Sequence, residues 1–286
     1  MHTLDMEQFC RAGLTFDVVD AGPPDGPVAV LLHGFPQHNT VWHPVVARLI
    51  DSGYRCLAPD QRGYSPHARP PHVRDYRLGE LVADIECLID AIDAPRVHLV
   101  GHDWGATVAW MFAQLHPERV ITLSALSVPH PAAFVAALVS TRQFLSSWYL
   151  FAFQTPGLPE RLLLGSDGTA RPFTRFLQHH QQTPDVASRD ARAMTGPREL
   201  TAALNWYRAT VFADVKRVFA KTQIPTMYVW GDRDIFIREG SARKCGRHIA
   251  APYRFEVLSN VTHWVLDDEP DSVAALLIDW FAEHSD

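Results

Sequence analysis

Short apolar runs closed by turn residues alternate with helical stretches along most of the chain, and this alternation constrains the fold more than any other feature. The runs at 14–22 (LTFDVVDAG), 28–35 (VAVLLHGF), 55–59 (RCLAP), 96–103 (RVHLVGHD), 120–127 (VITLSALS), 225–232 (PTMYVWGD) and 253–259 (YRFEVLS) read as strands. Helical spacing covers 79–93, 105–116 and 271–283. Apolar strands separated by helices belong in a mostly parallel sheet covered on both faces. With 286 residues, the chain can bury such a sheet as one large domain or a domain with an insert.

One interval breaks the rhythm. From 129 to 221 no strong strand pattern occurs, while aromatics and helix-like apolar spacing dominate, as in ELTAALNWYRATVFADV. A structureless connection of that length is improbable in a compact protein. A helical insert is therefore expected there, forming a cap at 129–221 over the carboxyl edge of a core made from 1–128 and 222–286.

Composition excludes several classes. Hydrophobic residues make up 47% and charged residues 20%, and the net charge of -6 comes without a long acidic or basic run. Nothing here suits a nucleic-acid partner. The N-terminal stretch lacks the basic-then-apolar pattern of a signal peptide, and no 18-residue apolar stretch appears, so no membrane span is expected. Cysteines 10, 56, 87 and 245 have no metal-binding or CxxC spacing. They read as buried free thiols in a reducing, cytoplasmic compartment, and no metal or cofactor is called for. Oligomeric state stays open, with a homodimer among the options.

The chemistry-bearing stretch is VHLVGHDWGATVAW at 97–110. Gly101-x-Asp103-x-Gly105 follows a strand and opens a helix, the spacing of a nucleophile elbow with aspartate where serine is usual. Asp103 as a simple helix N-cap is the plain alternative. In elbow folds an acid and then a histidine follow in chain order. GDRD after the next-to-last strand offers Asp232 or Asp234, and THW after the last strand offers His263. His102, beside the nucleophile position, is expected to point away and be structural. Donors for a developing oxyanion are expected from the backbone N–H groups of Phe35 and Trp104.

The aspartate changes the expected reaction. Serine needs a base to become nucleophilic, whereas a carboxylate is ionised at neutral pH and can displace a leaving group at saturated carbon. The result is an alkyl ester of the enzyme, which water activated by His263 would hydrolyse. A serine-type esterase is thereby excluded. A non-catalytic binding module on the same scaffold would be expected to lack at least one of Asp103, the acid and His263.

HGFP at 33–36, PDQRGYS at 59–65, GHDWGA at 101–106, GDRD and THW in this order resemble the α/β-hydrolase fold, and within it the soluble epoxide hydrolases. The resemblance spans nearly the whole chain. It implies a mostly parallel eight-stranded sheet flanked by helices, with a helical cap inserted after strand 6. It also implies Asp234 as the acid and two cap tyrosines that donate to the epoxide oxygen. WYLFAFQTPG is similar to the first tyrosine motif, giving Tyr149, and LNWYRA to the second, giving Tyr207. The expected substrate is a small apolar epoxide, opened with water to a vicinal diol. A haloalkane-type dehalogenase is the alternative, but such enzymes usually hold halide with a further cap Trp or with Asn at the position of Phe35. Trp148, Trp206 and Trp264 are expected as pocket walls or cap packing, and His179-His180 as a solvated cap face.

Overall fold

The computed structural model describes residues 6–140, 143–165 and 169–284. One eight-stranded sheet runs through it, in the order β1-β2-β4-β3-β5-β6-β7-β8. The strands are β1 (Gln8–Arg11), β2 (Leu14–Ala21), β3 (Val28–Leu32), β4 (Arg55–Pro59), β5 (Val97–His102), β6 (Val120–Leu126), β7 (Thr226–Gly231) and β8 (Tyr253–Leu258). β1 and β2 run antiparallel to their neighbours, and every later pair is parallel.

Pleating sorts the strand residues into two cores. Val30, Leu32 and Leu99 face one side, where they meet α2 (Leu78–Ala91) and α3 (Trp104–Leu115). Ala29, Leu31 and Val100 face the other, against α1 (His43–Asp51) and, near the C-terminus, α13 (Val265–Asp268) and α14 (Pro270–Ala282). Period-two alternation thus feeds two apolar layers, which is why these strands read as continuous apolar runs.

Two elements escape the sequence pattern. β1 is a half-exposed four-residue strand, joined to β2 by a tight turn in which Ala12 and Gly13 both have positive φ. α1 buries only Val45, Val46 and Leu49, too short a repeat to stand out.

Between β6 and β7 the described residues contain helices and no strand of the sheet: α4 (Pro131–Ser140), α5 (Gln143–Ser146), α6 (Trp148–Ala152), α7 (Leu158–Leu164), α8 (Arg171–His179), α9 (Pro184–Ala193), α10 (Pro197–Arg208) and α11 (Val215–Val218). Polar ties hold them over the sheet. The Trp206 indole donates to the Arg62 carbonyl at 2.7 Å, and the Trp264 indole donates to the His180 carbonyl at 2.8 Å. Arg69 pairs with Glu199 at 2.7 Å and Arg189 with Asp267 at 2.8 Å. α12 (Glu239–Ala242) follows β7.

Three sequence expectations are corrected here. His180 is buried, stacked on Phe236 at 5.4 Å, because its ring completes an aromatic layer under the helical segment. Trp148 is 52% exposed and so neither lines a pocket nor packs inside. All four cysteines are free, but Cys10 lies on the exposed edge strand and Cys87 is only half-buried. Among the described residues no helix is long and apolar enough to cross a membrane.

Candidate active site

The turn between β5 and α3 is built around tight glycine contacts. A Cβ on Gly101 would strike the Gly105 carbonyl, and one on Gly105 would strike the carbonyls of Leu32 and His33. With both side chains absent, the helix start packs against β3 and β5, and Asp103 is held at φ 53°, ψ -120°. That is a strained setting for a residue with a Cβ, the kind that persists where surrounding structure enforces it. Asp103 occupies the N-cap position of α3 but makes no side-chain capping hydrogen bond. Its carboxylate points elsewhere.

Asp103 Oδ1 accepts the Phe35 backbone N–H at 2.8 Å, and Oδ2 lies 3.3 Å from His263 Nε2. His263 Nδ1 in turn lies 2.8 Å from Asp234 Oδ2. The other oxygen of Asp234 accepts the amides of Phe236 and Ile237 at 2.7 and 2.9 Å, which fixes its orientation. Asp232, the other acid offered by the sequence, accepts the Asn260 amide at 2.7 Å and has no contact with His263. Phe35 after β3 and His263 after β8 thus meet the carboxylate of Asp103 after β5, and Asp234 after β7 holds the histidine from its far side.

Electrostatics follow from this crowding. Burial alone would lower the pKa of His263, but the Asp234 charge, with hydrogen bonds to Asp103 and Asp234, raises it to about 10. Burial would raise the Asp103 pKa, yet the hydrogen bond and charge of His263, helped by the Trp104 amide, bring it below the usual carboxylate value. At neutral pH the pair is therefore an imidazolium between two carboxylates. His102 behaves differently: burial, then the His263 charge, pulls its pKa down to about 4. Its Nε2 lies 2.9 Å from the His263 carbonyl, so the neutral ring donates there and braces the backbone of its neighbour.

Two hollows meet at Asp103. The larger, about 350 Å³, runs past Trp104, Met111 and Phe134 beneath α4. The smaller, about 20 Å³, lies on the His263 side between Phe35, Phe153 and Phe236. Asp103, Tyr149 and Tyr207 line both. The rings of Tyr149 and Tyr207 stand edge to face, with centroids 6.1 Å apart. Burial and the Asp103 charge raise both phenol pKa values, so both keep their protons; a hydrogen bond with the Trp104 side chain partly offsets this at Tyr207. Trp206 and Trp264 form walls, one in each hollow. Among the described residues no group of three His, Cys, Asp or Glu side chains could hold a metal ion.

The family profile for the α/β hydrolase fold matches residues 27–270. The chain belongs to this family, among the epoxide hydrolases. The AB hydrolase superfamily protein YfhM of Bacillus subtilis is 34% identical over 94% of this chain and 94% of its own length. Epoxide hydrolase 3 of Xenopus tropicalis is 32% identical over 95% of this chain and 76% of its own. A solved structure described as one of the novel epoxide hydrolases in metagenomes from hot environments superposes with a TM-score of 0.85, at 28% identity, covering 99% of this chain and 100% of that one.

In this α/β hydrolase several supporting residues escape sequence reading. Gln154 donates to the Tyr207 carbonyl at 2.9 Å and to the Leu150 carbonyl at 3.1 Å, linking the helices that carry the two tyrosines. Arg208, next to Tyr207, donates to the Phe153 carbonyl at 3.0 Å and pairs with buried Glu160 at 2.9 Å. Phe236 packs edge-on against His263 at 4.9 Å. The sequence hints are positional: Gln154 falls inside the FQTPG motif, Arg208 inside LNWYRA, and Phe236 two residues after Asp234.

Proposed function

We propose that the chain hydrolyses an apolar epoxide to a vicinal diol through a covalent ester on Asp103. The observation that carries this reading is a single ionised carboxylate, 3.3 Å from His263, on the floor of an apolar cavity that two protonated tyrosines also line. Helices at 129–221 serve as the cap that supplies those tyrosines.

In the first step an Asp103 oxygen forms a bond to a ring carbon while the ring C–O bond breaks and its electron pair goes to oxygen. Tyr149 and Tyr207 hydrogen-bond that oxygen and deliver a proton, which a poor alkoxide leaving group needs and a halide does not. In the second step water adds to the ester carbonyl carbon as His263 takes its proton. The backbone amides of Phe35 and Trp104 stabilise the oxyanion, and collapse releases the diol and regenerates the carboxylate.

The high pKa of His263 has a direct role in this sequence. While Asp103 is charged, the imidazole holds a proton and is no base. Alkylation turns Asp103 into a neutral ester, removing one of the two anions that raise the pKa, so the ring gives up its proton, restoring the one that the tyrosines delivered. It is then the base that takes a proton from water and passes it to the diol oxygen released on collapse. No cofactor enters either step.

Intact-mass spectrometry tests the reading. His263→Gln incubated with an epoxide should become heavier by one substrate molecule, while its turnover falls by about two to four orders of magnitude. No adduct with any reactive epoxide would remove the covalent step. The double change Tyr149→Phe and Tyr207→Phe should abolish ring opening and with it adduct formation.

A further inference from the structure

The two hollows that share Asp103, Tyr149 and Tyr207 differ greatly in size, and an epoxide has two carbons to place between them. A ring held with its oxygen toward the tyrosines and one carbon over Asp103 sends the substituents of its carbons to opposite sides. We propose that this enzyme is selective for terminal epoxides, with a single uncharged apolar substituent seated in the larger hollow. The inference rests on the hydrolase reading above and adds a substrate class to it.

Volume carries the argument. The hollow beside His263 holds about 20 Å³. One water needs roughly 10–15 Å³ of such space, so this side admits a single small molecule and no alkyl or aryl group. A water there stands next to the imidazole that would activate it, so the same limit that excludes a substituent keeps the hydrolytic water in position.

The walls are not loose. Phe176 lies 4.1 Å from His180, His180 stacks on Phe236 at 5.4 Å, and Phe236 meets His263 at 4.9 Å, ring centre to ring centre. Phe153 and Phe173 back Phe176 at 6.5 and 6.3 Å. Enlarging the small hollow requires displacing a packed aromatic series that ends on the histidine itself, and such interiors resist added volume.

The larger hollow, about 350 Å³, sits at the lower end of the range for small-molecule sites. Among the described residues its only carboxylate is Asp103, and no lysine or arginine lines it. Its amide and one of its hydroxyls are committed to backbone: Gln154 and Thr210 both donate to the Tyr207 carbonyl, at 2.9 and 2.7 Å. A substituent bearing a carboxylate or phosphate would find no counter-charge there and lose its hydration.

Styrene oxide, trans-β-methylstyrene oxide and trans-stilbene oxide test this, because all three are benzylic and differ in what the second ring carbon carries. The parent enzyme should favour styrene oxide over the β-methyl compound in kcat/KM by at least about tenfold, and trans-stilbene oxide should show no turnover. Phe176→Ala, which removes a wall of the small hollow, should reduce the styrene to β-methylstyrene oxide ratio by about tenfold; Phe176→Leu should do the same more weakly if the alanine variant does not fold. Hydrolysis of trans-stilbene oxide by the parent at the styrene oxide rate would overturn the proposal and leave the hydrolase reading standing. An unchanged ratio in a folded Phe176 variant would equally overturn the assignment of that wall. No turnover of any of the three, with no adduct on His263→Gln, would bring down both.

Discussion

Asp103, His263 and Asp234 form one electrostatic unit in which the histidine lies between two carboxylates. Two carboxylates hold the imidazole pKa at about 10, against the pull of burial. Asp103→Asn mimics the loss of charge that the proposed esterification would bring, so the His263 pKa should fall clearly below that value in an NMR titration of the ring. An unchanged value would mean that Asp234 alone governs the histidine and that no acid-to-base change accompanies alkylation. The same crowding explains why the residues differ in how readily they are read from sequence. Asp103 is marked by the glycines that its turn requires. Asp232 and Asp234 are equivalent by spacing alone; the family resemblance favours Asp234, and the loop after β7, with the amides of Phe236 and Ile237 on Asp234, turns that carboxylate toward His263.

Among elements, the elbow and the paired tyrosine helices carry the most geometric demand. Gly105→Ala places a methyl against the Leu32 and His33 carbonyls, so urea denaturation should show a loss of roughly 3 kcal/mol, with activity falling alongside. Arg208 and Glu160, both buried, tie α10 to α7 and to the chain after α6. Glu160→Ala leaves a buried guanidinium unpaired, which costs about 3 kcal/mol. It should also slow ring opening more than ester hydrolysis, as measured by pre-steady-state adduct formation, because Tyr207 adjoins Arg208. These ties were not legible in the sequence, since they join residues some 50 positions apart, one through a backbone carbonyl and one through a buried ion pair. The central strands β3 to β7 were legible because both their faces are buried, and β2 and β8 because their apolar residues still alternate with polar ones. β1 was not, because a half-exposed edge strand shows little apolar signal, and His180 was misread because its burial comes from packing on Phe236, which follows a different strand.

For the molecule as a whole, histidines set opposing slopes of stability against pH. Burial holds His33, His98, His102 and His130 at pKa values of about 4, below the ordinary 6.5. A depressed value favours the unfolded chain in acid, so their contribution is present above pH 6.5 and is lost as pH falls toward 4. His263 has the opposite sign: its contribution is complete below pH 6.5 and is lost as pH rises toward 10. Urea midpoints across this range should therefore peak near neutrality and drop more steeply on the acid side, where four groups act together. A midpoint that climbs steadily into alkali would contradict the His263 assignment.

The candidate site draws on distant parts of the chain, with Asp103 and His263 separated by 160 positions and the tyrosines between them. Nascent polypeptide leaving the ribosome presents the elbow and the helices of the layer well before the histidine is synthesised, whereas Trp264 and Asp267, which tie that layer to the core, come after it. Competence toward substrate is thus a property of the finished molecule alone, and in refolding, recovery of turnover is expected to lag behind recovery of helical circular dichroism.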